Sequence, residues 1–331
     1  MHSPPESDSD PVGDDDRAFF RIFHSRTLNT LNQTYLLPAD HDEVQRSDIH
    51  HRLLQFVFSG KNYVGPVREA LQFGQQRRVL DIGTGSGSWA IDIADEFPRA
   101  EVVAVDLAPI QPRHVPPNCT QVPSPIHPYQ IRKLTAILLP PTASSSVTST
   151  SGISPIQMVT LTSYMRGPFT SAFIHNYPRF LHEIARLLRP GGLVLLVEPT
   201  LNPSPPPPPH QPMRGWVAFW ETYRACLARL NIDVTVPERL ADLLAATSAF
   251  ERIIVQEAYP RTPEDPHLLT VGQLQWMDYE LFLPAVRPLF LHCGLPPSTV
   301  EMLIRDAQHD LYHPSYDVSS LIHIAYASRR Y

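Results

Sequence analysis

The chain has 331 residues, 43% of them hydrophobic and 18% charged, with a formal net charge of −6. That apolar share can bury a sizeable core in one large domain or two small ones, while the acidic balance excludes the clustered basic face of a nucleic-acid binder. Cys119, Cys226 and Cys293 are odd in number and widely spaced, so they make neither a disulfide framework nor a CxxC metal pair, and a reducing compartment, cytoplasmic or nuclear, is expected.

Residues 1–16 are polar, acidic and proline-containing, and read as a disordered tail without the apolar core of a secretory signal. Arg17–Asn32 is helical in character, and LLPAD then makes a turn in which Asp40 or Asp42 can cap the next helix. In that helix Val44, Ile49, Leu53, Leu54 and Val57 fall near helical spacing, as one buried face requires. Arg78–Ile82 reads as a buried parallel strand, SWAIDIADEFP as the helix after it, and Glu101–Leu107 as a second strand. Strand, glycine turn, helix and strand within thirty residues form a right-handed βαβ unit.

Past Cys119 the pattern fails. Gln121–Thr162 holds 19 Pro, Ser or Thr among 42 residues, and Leu107–His182 contains no Asp or Glu. Order returns with HNYPRFLHEIARLLRPGG, a helix ending at Pro190-Gly191-Gly192, and a third strand over Leu193–Pro199. Its apolar run Leu193–Val197 is far too short to span a bilayer. A proline-rich loop follows at 202–212. Helices are expected over Trp216–Leu230, Pro237–Ala246, Leu268–Leu291 (bent at Pro284 and Pro288) and Thr299–Tyr312. The strands Glu251–Tyr259 and Ser320–Ala327 can pair antiparallel at the sheet edge.

The stretch Asp81–Trp89, DIGTGSGSW, carries glycines at 83, 85 and 87 behind an acid. Such a turn lets a ligand approach the backbone while amides face its polar atoms. Asp106, at the end of the next strand, is placed to accept both hydroxyls of a ribose. Dinucleotide sites favour G-x-G-x-x-G with a pyrophosphate at the helix start. Here the spacing is G-x-G-x-G, and an acid two residues before it repels a pyrophosphate but suits the ammonium of a methionine moiety. A nicotinamide-dependent dehydrogenase is therefore disfavoured.

DIGTGSGSWAIDIADEFP, VVAVDLAP and LLRPGGLVLLVEP resemble the class I S-adenosylmethionine-dependent methyltransferases, and in particular the fungal group that includes the velvet-associated regulators of secondary metabolism. YLLPADHDEVQRSDIHHRLL, YVGPV and GQLQWMDYELFLPAVRPLFLHCGLP resemble the same group, so the likeness covers about Arg17–Asn118 and Ser171–Tyr331. It implies a Rossmann-like, doubly wound α/β sheet of seven strands, the last reversed, with N-terminal helices and a helical cap insertion. It also implies a lid over 17–66 and a methyltransferase domain over 67–331. S-adenosyl-L-methionine is the cofactor it implies, with Asp81, Gly83, Thr84, Gly85 and Gly87 at the methionine end and Asp106 and Leu107 at the nucleoside. Tyr35 and His51 are placed in the lid. The implied partners are a small-molecule methyl acceptor and proteins of velvet type, with no nucleic acid and no membrane.

The likeness breaks over 120–165. The family's third strand ends in acids that read adenine and its fourth lines the methyl donor; here neither acid nor matching strand is present. The segment reads as intron or out-of-frame translation, the rival being a genuine disordered insertion. Disruption is expected in the middle of the sheet, with Thr135–Leu139 and Gln157–Thr162 as crude substitute strands. Cofactor binding is expected to be weak. No catalytic base stands out; His175 and Tyr177 lie toward the substrate side. His309 and His313 are at i, i+4 spacing but lack a third ligand, so no metal site is expected. Trp216, Phe219, Trp220 and Tyr223 share a helix face, as core residues or as a substrate wall.

Overall fold

The computed structural model describes residues 14–72, 77–123, 156–162, 174, 176–201, 213–258, 266–316, 318 and 320–331. A 3₁₀ turn, Asp14–Phe19, leads into a hairpin of β1 (Phe20–Phe23) and β2 (Arg26–Asn29). The helical character expected from Arg17 is thus corrected to a hairpin. His24 and Ser25 take φ of 48° and 62°, the left-handed pair that a two-residue hairpin turn needs. Helix α1 (His41–Val57) follows, its first turn capped by Asp40, which accepts from the Glu43 amide.

Helix α2 (Val67–Gln72) precedes the first core strand, β3 (Arg78–Ile82). The glycine turn then opens α3 (Ser88–Glu96), followed by β4 (Glu101–Asp106) and β5 (Cys119–Pro123). β6 (Ile156–Thr162) comes next, then α4 (Tyr177–Leu187) and β7 (Leu188–Pro199). β7 begins at Leu188, five residues before the expected start, because Leu188 already pairs with Ile156. The C-terminal part carries α5 (Arg214–Arg229), α6 (Leu240–Ala246), β8 (Phe250–Ala258), α7 (Pro266–Ala285), α8 (Arg287–His292), α9 (Pro297–Tyr312) and β9 (Ile322–Arg329). Among the described residues no helix is long and apolar enough to cross a membrane.

The described strands form a seven-stranded sheet in the order β5-β4-β3-β6-β7-β9-β8. β5, β4, β3, β6 and β7 run parallel, and β9 is antiparallel to both neighbours. This is the class I methyltransferase topology with its reversed last strand. In the middle of the sheet, where disruption was expected, the structure shows one of the expected substitute strands. Val159 of β6 lies between Leu80 of β3 and Val194 of β7, and Ile156, Met158, Val159 and Thr160 are buried. Two strands therefore come from the atypical segment 120–165, and Gln157–Thr162 is the substitute that fills the slot. The fit is imperfect at Gln157, a buried side chain whose Oε1 finds no hydrogen-bond partner among the described residues, next to a register irregularity at Ile156–Met158. Thr135–Leu139 lies outside the described residues.

Alternation along the strands builds two cores. Leu80, Ile82, Val103, Val105, Val159 and Leu196 face α4 and α6. Val79, Val102, Ala104, Met158 and Leu195 face α3 and the end of α1. A third core lies under the cap, where Trp216, Phe219, Trp220 and Tyr223 of α5 meet Tyr279 and Phe282 of α7 and Phe290 of α8. The aromatic face of α5 is thus core.

Helices α5 and α9 cross where Gly215 meets Asp306: a Cβ at Gly215 would stand 2.4 Å from the Asp306 backbone. Gly215→Ala is expected to destabilise the chain by about 1–3 kcal/mol through overpacking, read as a lower urea midpoint at unchanged slope. An unchanged midpoint would mean that the crossing is looser than described.

Candidate cofactor site

The parallel register of β3 and β4 sets the site. Asp81 pairs with Ala104, so Asp81 and Asp106 share the parity of Val79 and Val102 and project from the α3 side of the sheet at its carboxyl edge. Both are 1% exposed. Gly83, Gly85 and Gly87 hold φ of 79°, 59° and 87°, values that L side chains rarely adopt. A Cβ on Gly87 would also stand 2.5 Å from Gln121 Nε2.

The turn's amides are engaged within the protein. Gly83 and Thr84 both donate to the Val105 carbonyl, at 2.7 and 3.1 Å, and Gly87 donates to the Thr84 carbonyl at 2.9 Å. The Gly85 amide donates to Asp106 Oδ2 at 2.9 Å, and the Ala108 amide to Asp106 Oδ1 at 3.2 Å. The expectation of bare amides awaiting a ligand is therefore corrected: the Asp106 carboxylate occupies the Gly85 amide and is oriented by it. Leu107, next in the chain, is buried in the cap core with Tyr35, Leu36 and Leu37.

Asp81 is different. Neither of its oxygens, nor the Thr84 hydroxyl, has a hydrogen-bond partner among the described residues. Burial pushes the Asp81 carboxyl up to about 7; the nearby Thr84 hydroxyl eases the charge without completing a hydrogen bond, and the Asp106 carboxylate adds to the rise. A buried acid without a counter-charge, beside a second acid, suits a cationic ligand group and repels a polyanion. That donor set fits an ammonium and a ribose and does not fit a pyrophosphate.

Helix α1 lies against the turn. Ser47 Oγ accepts from the Ser86 amide at 3.2 Å, Ser88 donates to Asp48 at 2.7 Å, and His51 Nε2 meets Asp92 of α3 at 2.8 Å. His51 is thus an anchor of α1 on α3, and Tyr35 is a cap-core residue. Gln111 reaches back to the Gly85 carbonyl at 2.7 Å. Sequence reasoning missed Ser47 and Gln111; Ser47 lies in the polar run QRSDIHH, where apolar periodicity gives no weight to it. A cleft of about 890 Å³ opens beside the turn, between the hairpin, Val44 and Asp48 of α1, Ser86, Ser88 and Ile110.

Of the other candidates, Tyr177 is buried and its hydroxyl donates to Glu198 at 3.4 Å. His175 lies outside the described residues. The His309 and His313 rings lie 4.9 Å apart, tilted by 58°, and no group of three metal-ligating side chains occurs among the described residues.

The sequence model of a family described as a methyltransferase domain matches residues 48–247. The chain is 26% identical over 247 residues to the secondary metabolism regulator LAE1 of Cochliobolus heterostrophus, covering 72% of this chain and 70% of that protein. It is 26% identical over 302 residues to the secondary metabolism regulator laeA of Coprinopsis cinerea, covering 86% and 67%. It is 43% identical over 108 residues to the protein-methionine methyltransferase laeA of Emericella nidulans, covering 31% of this chain and 27% of that protein.

The Asp81 environment has a measurable consequence for the ligand-free chain. A carboxyl whose pKa is raised by folding contributes stability that is present below its unfolded value, near 4, and lost as pH rises through about 7. Asp81→Asn is expected to remove that loss, stabilising the chain at pH 8 by as much as about 4 kcal/mol and at pH 4 by little. Chemical denaturation at the two pH values checks this; equal effects at both would show that Asp81 is not perturbed.

Proposed function

The chain belongs to the methyltransferase domain family, and from that premise we propose that it transfers a methyl group from S-adenosyl-L-methionine to a small metabolite. The observation that carries this reading is the buried, uncompensated Asp81 beside Asp106 at the mouth of a three-glycine turn.

In this reading Asp81 takes the ammonium of the methionine end, and the Thr84 hydroxyl lies beside it. Gly83, Gly85 and Gly87 keep the turn free of side chains so that the cofactor can lie against backbone. Asp106, held by the Gly85 and Ala108 amides, accepts from the ribose hydroxyls. Leu107 offers an apolar edge toward the base. Helix α1, fixed through Ser47, Asp48 and His51, closes over the turn as a lid and excludes water. When bound, the cofactor supplies a methyl carbon on a sulfonium, and the chain's task is alignment of the acceptor with that carbon.

A second reading is a methyltransferase-like regulator of secondary metabolism whose main work is binding transcription regulators of velvet type. The names of the Cochliobolus and Coprinopsis relatives support it. Methylated metabolites lost on deletion of the gene favour catalysis; metabolites restored by a chain carrying Asp106→Ala favour regulation.

Calorimetric titration of the full chain with S-adenosylhomocysteine tests the cofactor reading. Binding is expected to be weaker than about 1 µM, because the family's adenine-reading acids lack counterparts in the sequence. An ammonium beside Asp81 lowers its pKa, so binding at pH 6 is expected to release close to one proton and at pH 8 about a tenth of one. Asp81→Asn abolishes the release, and Asp106→Ala weakens binding by about 1.5–3 kcal/mol. Binding without proton release at pH 6 would remove Asp81 from the site.

A further inference from the structure

Two thiols that are far apart in the chain meet in the cap. Cys226 lies in the last turn of α5, and Cys293 follows the last residue of α8, 67 residues further on. Both belong to the cap core and are 2% and 6% exposed. Cys293 Sγ donates to the Cys226 carbonyl at 3.8 Å, and the Cys226 thiol has the Cys293 sulfur as its own hydrogen-bond partner. Arg229, three residues beyond Cys226, donates from Nη1 to the Cys293 carbonyl at 2.7 Å and brings a cation to the pair. Cys119, on β5, is buried in the separate core under α3.

The two sulfurs are not equivalent. Burial pushes the Cys226 thiol up to about 12; its hydrogen bond to Cys293 and the charge on that sulfur add to the rise, and Arg229 opposes it. Cys226 therefore keeps its proton and offers it to the Cys293 sulfur. The thiolate is the form that reacts with oxidants. Cys293 is also the nearer of the two to solvent. It stands between exposed His292 and Gly294, and a Cβ on Gly294 would meet open space. A buried free cysteine packs as a small hydrophobe, but packing asks for no second thiol at hydrogen-bond distance and no cation beside it. In a reducing compartment such a pair cycles rather than staying oxidised.

We propose that Cys226 and Cys293 are a reversible thiol pair that hydrogen peroxide converts to a disulfide stapling α5 to α8, with Cys293 the attacking sulfur and Cys226 the resolving one. This is independent of the methyl-transfer reading. The Cys293 thiolate attacks one peroxide oxygen and the O–O bond breaks. That oxygen stays on sulfur as a sulfenic acid, while the other leaves as hydroxide and takes up a proton to become water. Cys226, losing its proton, then attacks the Cys293 sulfur and expels the second oxygen as water. The two sulfurs together lose two electrons, and the peroxide gains them. A dithiol returns both cysteines to the reduced state.

The test treats the reduced full chain with hydrogen peroxide and caps the remaining thiols with an alkylating agent in denaturant. Mass and peptide map are then read without reductant. The wild-type chain is expected to lose two hydrogens, to carry the alkyl group on Cys119 alone and to yield a cross-linked peptide holding Cys226 and Cys293. A dithiol is expected to reverse this. The oxidised chain is expected to unfold at a higher urea midpoint than the reduced one, since the bond closes a loop of 67 residues. Cys226→Ser is expected to leave Cys293 as a sulfenic acid that a 1,3-diketone captures, and Cys293→Ser to leave Cys226 unoxidised. If a serine variant does not fold, the alanine variant takes its place. Alkylation of both Cys226 and Cys293 after peroxide, a cross-link through Cys119 or between chains, a lower midpoint, or sulfenic acid at Cys226 in the Cys293 variant would overturn the proposal.

Discussion

A carboxylate buried without a counter-charge is the constraint from which the rest of the site follows. Asp81 is held at the carboxyl edge of β3 by strands that pair on both sides of it, with Ala104 and with Thr160. Folding places it there at a cost in solvation, and no described residue gives either of its oxygens a hydrogen bond. The same parallel register that buries Asp81 sends Asp106 to the same side of the sheet, where the glycine turn clamps it through the Gly85 amide. One acid is fixed and satisfied, the other is loaded and waiting. A cationic ligand group would relieve Asp81, in the reading proposed above.

Helix α1 ties this site to the cap. One side binds the turn and α3 through Ser47, Asp48 and His51; the other binds α7 through Arg46 and His50. Its buried residues are Glu43, Arg46, Ser47, His50 and His51 beside Ile49, Leu53 and Leu54, so directional bonds share the grip with apolar area.

Much of this was legible in the residues. RVLDI, EVVAVD and LVLLVEP announced parallel strands because both of their faces are buried, and the reversed edge pair followed from two late apolar runs. The acids at 81 and 106 were legible because strand alternation fixes their side. The hairpin at 20–29 was not, since its turn uses His24 and Ser25 in left-handed conformation without the Gly or Asn that usually marks one. The strand at Ile156–Thr162 was only partly visible within a Ser/Thr/Pro-rich stretch; pairing with β3 and β7 overrides the local composition. The polar interior face of α1 was hidden altogether. Its partner, Asp278, lies 232 residues from Arg46, and apolar periodicity carries no information about buried charge.

The central claim, that the acid-flanked turn receives a sulfonium nucleoside rather than a dinucleotide, is tested most directly by amide NMR. The resonances of Gly83, Gly85 and Gly87 would be followed while S-adenosylhomocysteine or NADH is added to the labelled chain. The account predicts that they move with the first ligand, Gly85 most of all through Asp106, and stay in place with the second. Shifts with NADH alone, or none with either ligand, would contradict it.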